Sequence, residues 1–129
     1  MQYNKFRARP LCKNNWVYGE LRLMSFSSHI VDEHFRHHSI DLGTIGRFIN
    51  LRDKHMKEMY EGDIVQDENG AIGYIGYLQE EMGFCIIWDH SYSRLGIRTR
   101  GGGYEVDPSL EIIGNVHDNP KLLTNKELL

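Results

Sequence analysis

Met59-Tyr60-Glu61-Gly62-Asp63-Ile64-Val65 is the stretch that decides the fold class of this chain. A Gly-Asp pair stands between an aromatic residue and two β-branched apolar ones. Gly and Asp favour turns, and Ile-Val suits a pleated, half-buried surface. The segment is therefore a turn that launches a strand. Asp53, Glu58, Glu61 and Asp63 cluster around it with no identifiable base beside them. Their expected work is turn hydrogen bonding, with Asp63 satisfying nearby backbone N–H groups, rather than acid–base catalysis.

Downstream, turn signals alternate with short apolar runs. Asn69-Gly70 predicts a tight β-turn with both central residues at positive φ. Gly70, Gly73 and Gly76 recur every third residue in a β-like run, which predicts bulges or sharp bends. Glu80 to Gly83 is the next turn, Phe84 to Trp88 a fully apolar strand, and Leu110 to Val116 the last strand. Asn119 suits a helix N-cap and Pro120 the first helical position, so 120–129 is either a short helix or a frayed tail.

Upstream, Lys5 to Ala8 and Trp16 to Leu23 are expected to pair as a hairpin around a turn at Lys13-Asn14-Asn15. Trp16 and Tyr18, with Leu21 and Leu23, would offer one apolar face in two registers joined around Gly19. Ser25 to Ser28 is polar and loop-like. Residues 29–38 leave strand and short helix both open. Ile45 to Leu51 is a strand, and Arg52 to Glu58 a charged loop. A faint echo links Ile40-Asp41…Ile45-Gly46-Arg47-Phe48 with Val106-Asp107…Ile113-Gly114-Asn115-Val116, at unequal spacing that favours coincidence over a repeat. The predicted class is mainly β (β-rich α+β), as an SH3-like small barrel or as bent antiparallel sheets with few short helices. The expected organisation is one domain over 1–129, with lobes at 1–58 and 59–118 and a tail at 119–129.

Composition narrows the class of protein. Of 129 residues, 40% are hydrophobic and 26% charged, which suits a folded domain. A net charge of −3 argues against generic capture of DNA by a basic surface. Cys12 and Cys85 form no C-x-x-C pair and are expected to be reduced thiols. No apolar run approaches the ~20 residues of a membrane span, and the first residues lack the apolar core of a secretion signal. A cytoplasmic protein of a bacterial host cell is expected, with no membrane partner and no cofactor.

Three blocks carry a resemblance. Lys5-Phe6-Arg7-Ala8 with Trp16-Val17-Tyr18-Gly19 forms the first. The second comprises Thr44-Ile45-Gly46, Leu51-Arg52-Asp53-Lys54 and Lys57 to Val65. The third is Ile112 to Leu123. In order and spacing the chain resembles the YopX-like family of phage and prophage proteins over nearly its whole length. The resemblance implies a mainly-β fold with barrel-like character and brings no catalytic residues. Tyr60, Gly62, Asp63, Gly114 and Pro120 fall in its signatures as structural positions. Three places depart from it. Ile49-Asn50 stands where the family has Thr-Gly, and Asn50 can still take the left-handed conformation. His55-Met56 stands where it has Asn-Gly, and Met56 is expected to resist that conformation, so the loop should differ in turn type. Arg9-Pro10 replaces Trp-Asp, and Pro10 is expected at an edge or a strand end.

Candidate sites lie outside these signatures. His34 and His38, with His29, His37, Asp32 and Glu33 nearby, make the most metal-like group. On a helix they share one face, whereas on a strand they stand about 13 Å apart. Asp89-His90-Ser91 places three triad residue types side by side, and adjacency argues against a triad. Arg94, Arg98 and Arg100 with Tyr104 form a basic, aromatic-interleaved segment for nucleic-acid or anion contact. Three readings follow: a non-enzymatic binding or assembly module, expected to be a homo-oligomer; a nucleic-acid-binding small barrel; and a metal-dependent enzyme using the histidines.

Overall fold

The computed structural model describes residues 5–95 and 106–124. The chain divides into two compact units, Met1–Phe48 and Ile49–Leu129. Both are built from antiparallel strands, and the only α-helix among the described residues has four residues. The sheets are bent but not closed into a barrel. Of the two predicted architectures, the bent sheets describe the molecule.

The first unit holds β1 (Phe6–Ala8), β2 (Val17–Leu23), β3 (Ser28–Val31), β4 (His37–Ser39) and the start of β5 (Gly46–Arg52), in the order β4-β3-β2-β1-β5. The β1–β2 hairpin forms as expected, with Phe6 opposite Gly19 and Ala8 opposite Val17. Its turn, however, falls at Leu11-Cys12, where the Lys13 N–H reaches the Pro10 carbonyl. The buried face of β2 is set by Val17, while Tyr18 points outward. Pro10 sits beyond the end of β1 and makes an isolated bridge to Ile40. Segment 29–38 is a β-hairpin rather than a helix. Ala8, Val17, Ile30 and Ile40 form a small core, with Phe6, Leu21 and Ile45 packed against it.

The second unit continues β5 and adds β6 (Glu58–Tyr60), β7 (Asp63–Gln66), β8 (Ile72–Leu78), β9 (Gly83–Ile87), β10 (Tyr92–Arg94), β11 (Glu111–Asn115) and α1 (Lys121–Thr124). Strand β6 lies beside β5, and the remaining strands form a sheet in the order β10-β9-β8-β7-β11. Its core is larger: Ile49, Leu51, Met59, Val65, Ile75, Ile86, Leu95 and Leu110. β8 and β9 pair in unbroken register, so the glycines of β8 mark no bulge. They permit close approach instead. A Cβ on Gly73 would lie 2.7 Å from the Ile87 carbonyl oxygen. The bulge lies in β11, where the register with β7 shifts between Ile112 and Gly114.

Three hairpin turns share one device, the turn hydrogen bonding expected of Asp53, which recurs at Asp32 and Asp67. Asp32, Asp53 and Asp67 each donate their backbone N–H to the carbonyl four residues on. Each also uses Oδ1 to accept the N–H groups two and four residues on. The distances are 2.9 and 3.0 Å at Asp32, 2.9 Å twice at Asp53, and 2.9 Å twice at Asp67. The fourth residue of each turn takes positive φ: Phe35 at 63°, Met56 at 66° and Gly70 at 86°. Two expectations fail here. Met56 does adopt the left-handed conformation, because Asp53 over-determines the turn around it. Asn69 does not adopt positive φ, because this turn places only Gly70 there. Asn50 takes φ of 64°, as anticipated.

Candidate functional site

The Met59–Val65 stretch is a structural joint. The Asp63 carboxylate accepts the Tyr60 N–H at 2.7 Å, and the Tyr60 hydroxyl donates to Glu58 at 2.9 Å. Gly62, at φ of 94°, donates its N–H to the Ile75 carbonyl and accepts from the Val116 N–H, both at 2.8 Å. One tight turn thereby ties β7 to β8 and to the end of β11. Gly114 lets Asn119 approach, since a Cβ there would lie 2.6 Å from Asn119 Oδ1. That side chain accepts the Asn115 N–H rather than capping a helix, and the short helix starts after Pro120. The Asp63 carboxylate is bonded to backbone and the Tyr60 hydroxyl to Glu58, which is stabilising work.

The histidine segment does not converge. His34 lies in the β3–β4 turn, 3.6 Å from Glu33, and His38 lies on β4, with Nε2 2.9 Å from Asp32 Oδ2. The His38 ring, aided by the Arg36 backbone N–H, holds the Asp32 carboxyl down to about 2. His29 Nε2 meets Ser27 Oγ at 2.8 Å, and the His29 and His37 rings stand edge to face at 5.8 Å. Among the described residues no group of three or more His, Cys, Asp or Glu side chains is arranged to hold a metal. His90 is exposed, with Nε2 3.3 Å from the carboxylate of its neighbour Asp89.

Of the basic segment, Arg98, Arg100 and Tyr104 lie outside the described residues. Arg94 is on β10, where it donates to the Glu81 carbonyl at 2.6 Å and stands 3.8 Å from the Glu81 carboxylate. The Tyr92 hydroxyl donates to the same carboxylate at 2.9 Å, and Glu81 pushes its pKa up. Arg94 thus already has an anionic partner. Elsewhere the Arg7 and Arg9 guanidiniums lie over the Trp16 ring, at 4.3 and 4.5 Å from its centroid.

A different feature stands out in the first unit. Leu11, Met24, Phe26 and Leu42 come from three connecting segments and surround a hollow of about 340 Å³. Ser25, Ser27, Ser28, Ser39 and Ile40 complete its lining, and none of the nine lining residues is charged. Leu11, Met24 and Leu42 are more than half exposed, and the Phe26 side chain is entirely so. Single exposed apolar residues are ordinary, whereas these four gather around one concavity.

The YopX protein family model matches residues 5–124. The chain belongs to the YopX family. No curated protein matches it. Of the signature positions, Tyr60, Gly62, Asp63 and Gly114 take part in the joint of the second unit.

In the sequence of this YopX chain the hollow is masked by the serines of Ser25 to Ser28, which give the stretch around Phe26 the composition of a polar loop. The available signal was an apolar side chain inside each of three turn-like stretches: Leu11 beside Cys12, Met24 and Phe26 among serines, and Leu42 before Gly43. Turns favour polar residues, so an aromatic at a loop tip needs a reason.

Proposed function

We propose that this protein is a phage- or prophage-type accessory protein that acts as a non-enzymatic binding or assembly module. Family membership supports the phage-type origin. The observation that carries the binding reading is the uncharged hollow ringed by Leu11, Met24, Phe26 and Leu42. Such a surface gains free energy by leaving water, at about 25 cal/mol per Å² of apolar area, and has no ionisable group with which to drive a reaction. The titratable groups described above are committed to turns and to short-range pairs.

The test is direct. At dilute protein concentration an anilinonaphthalene sulfonate dye brightens on the native protein. Phe26→Ser or Met24→Ser removes most of that signal, while circular dichroism and Tm stay as they were. Equal dye binding by wild type and both variants would place the accessible apolar surface elsewhere and sink the reading.

A further inference from the structure

We propose that the occupant of this hollow is a second copy of the same chain, docked face to face about a two-fold axis. This rests on the binding-module reading and names its partner.

Three observations point to a second copy. Firstly, the patch offers both a projection and a recess. Phe26 is a wholly exposed ring at the edge of a concavity that it helps to line, so one surface supplies both a knob and a recess. A two-fold interface requires this, because the same patch must meet itself. Secondly, the patch is compatible with itself in charge. The chain carries −3 overall, yet the lining has no acid or base, so two copies meet there without bringing like charges into contact. A charged peptide or nucleic acid finds no counter-charge in the lining.

Thirdly, the unit bearing the patch is small, and so is its interior: among the described residues its buried apolar cluster is Ala8, Val17, Ile30 and Ile40. Over the same residues, four large apolar side chains stand in solvent around the hollow. Small units commonly make up for a small interior by association. An aromatic ring contributes roughly 150–250 Å² when buried, so two rings with their Leu and Met neighbours supply the apolar centre of a standard interface of about 800 Å² per partner. Phe26 is the anchor of that centre, and the hydroxyls of Ser25, Ser27 and Ser39 form its polar fringe.

Sedimentation equilibrium of the full chain, from about 1 to about 300 µM, tests this. Wild type is expected to dimerise. Phe26→Ser is expected to raise the dissociation constant at least ~30-fold, the effect of losing an aromatic anchor. Phe26 is fully exposed within the chain, so the variant retains its fold. Tyr77→Ser, at a half-exposed aromatic on β8, is the control and leaves the dimer intact. Wild-type dimers that survive Phe26→Ser unchanged would overturn the two-fold docking at this patch and leave the assembly reading standing. A strict monomer that binds the dye through Phe26 would overturn self-association alone and point to a foreign apolar partner. A strict monomer with no dye binding would overturn both.

Discussion

The turns opened by Asp32 and Asp53 are the same object in two settings. Each is a five-residue hairpin turn in which an aspartate collects two backbone N–H groups and a bulky residue sits at positive φ. Asp53 is wholly buried, and its second oxygen accepts the Ile112 N–H of β11 at 3.0 Å. Asp32 turns its second oxygen to a histidine on its own hairpin. The first carboxylate joins segments 59 residues apart, and the second only stiffens a local loop. Identical local chemistry thus serves tertiary structure in one place and local order in the other.

The strongest way to break this comparison is Asp53→Ala. Three backbone N–H donors lose their acceptor, at about 1 kcal/mol each, so urea unfolding should show a loss of about 3 kcal/mol. A loss of less than about 1 kcal/mol would mean that the contact with β11 carries no weight. Next come the strained positions. Met56→Gly and Phe35→Gly each relieve a left-handed conformation worth about 1–2 kcal/mol in an L-residue, partly offset by glycine's greater chain entropy. Both variants should gain up to about 1 kcal/mol in stability. Destabilisation at either site would show that the side chain makes a contact worth more than the strain.

The smallest effect is one of pH. Asp32 titrates at about 2 in the folded chain against an ordinary 3.8, so its contribution is complete above the ordinary value. It is lost as pH falls through about 2, because the protonated carboxyl no longer balances His38 or accepts as strongly from the two N–H groups. Amide exchange at His34 and Arg36, corrected for intrinsic rates, should rise between pH 4 and 2 in the wild type. It should not follow that curve in Asp32→Asn. Parallel curves in the two proteins would assign the acid sensitivity to another group.

Much of the secondary structure was legible because its cause is local. Gly62-Asp63 turns the chain with its own atoms, and the apolar run at Phe84 needs only alternation-free burial to become a central strand. The misreadings have equally specific causes. Met56 looked unfit for its turn because the preference of one residue was weighed without the carboxylate three positions earlier. Gly73 and Gly76 looked like bulges because only the paired β9, with Ile86, Ile87 and Trp88 beside them, shows that the space for a Cβ is already taken. His34 and His38 were ambiguous because either element could align them, and their hairpin pairing decided otherwise. No helix among the described residues is long and apolar enough to cross a membrane, in line with the short apolar runs of the sequence.

By itself the sequence determined the family, the mainly-β class, the Gly62-Asp63 joint and most strand positions. Those depend on backbone preference and on spacing within a few residues, both of which are written in order along the chain. Only the tertiary structure decided that Asp53 is a buried clamp while Asp32 is not, and that Leu11, Met24, Phe26 and Leu42 ring one hollow. Burial and convergence depend on which distant segments fold back together, and residues 11, 26 and 42 carry no mark of their proximity until the strands between them have paired.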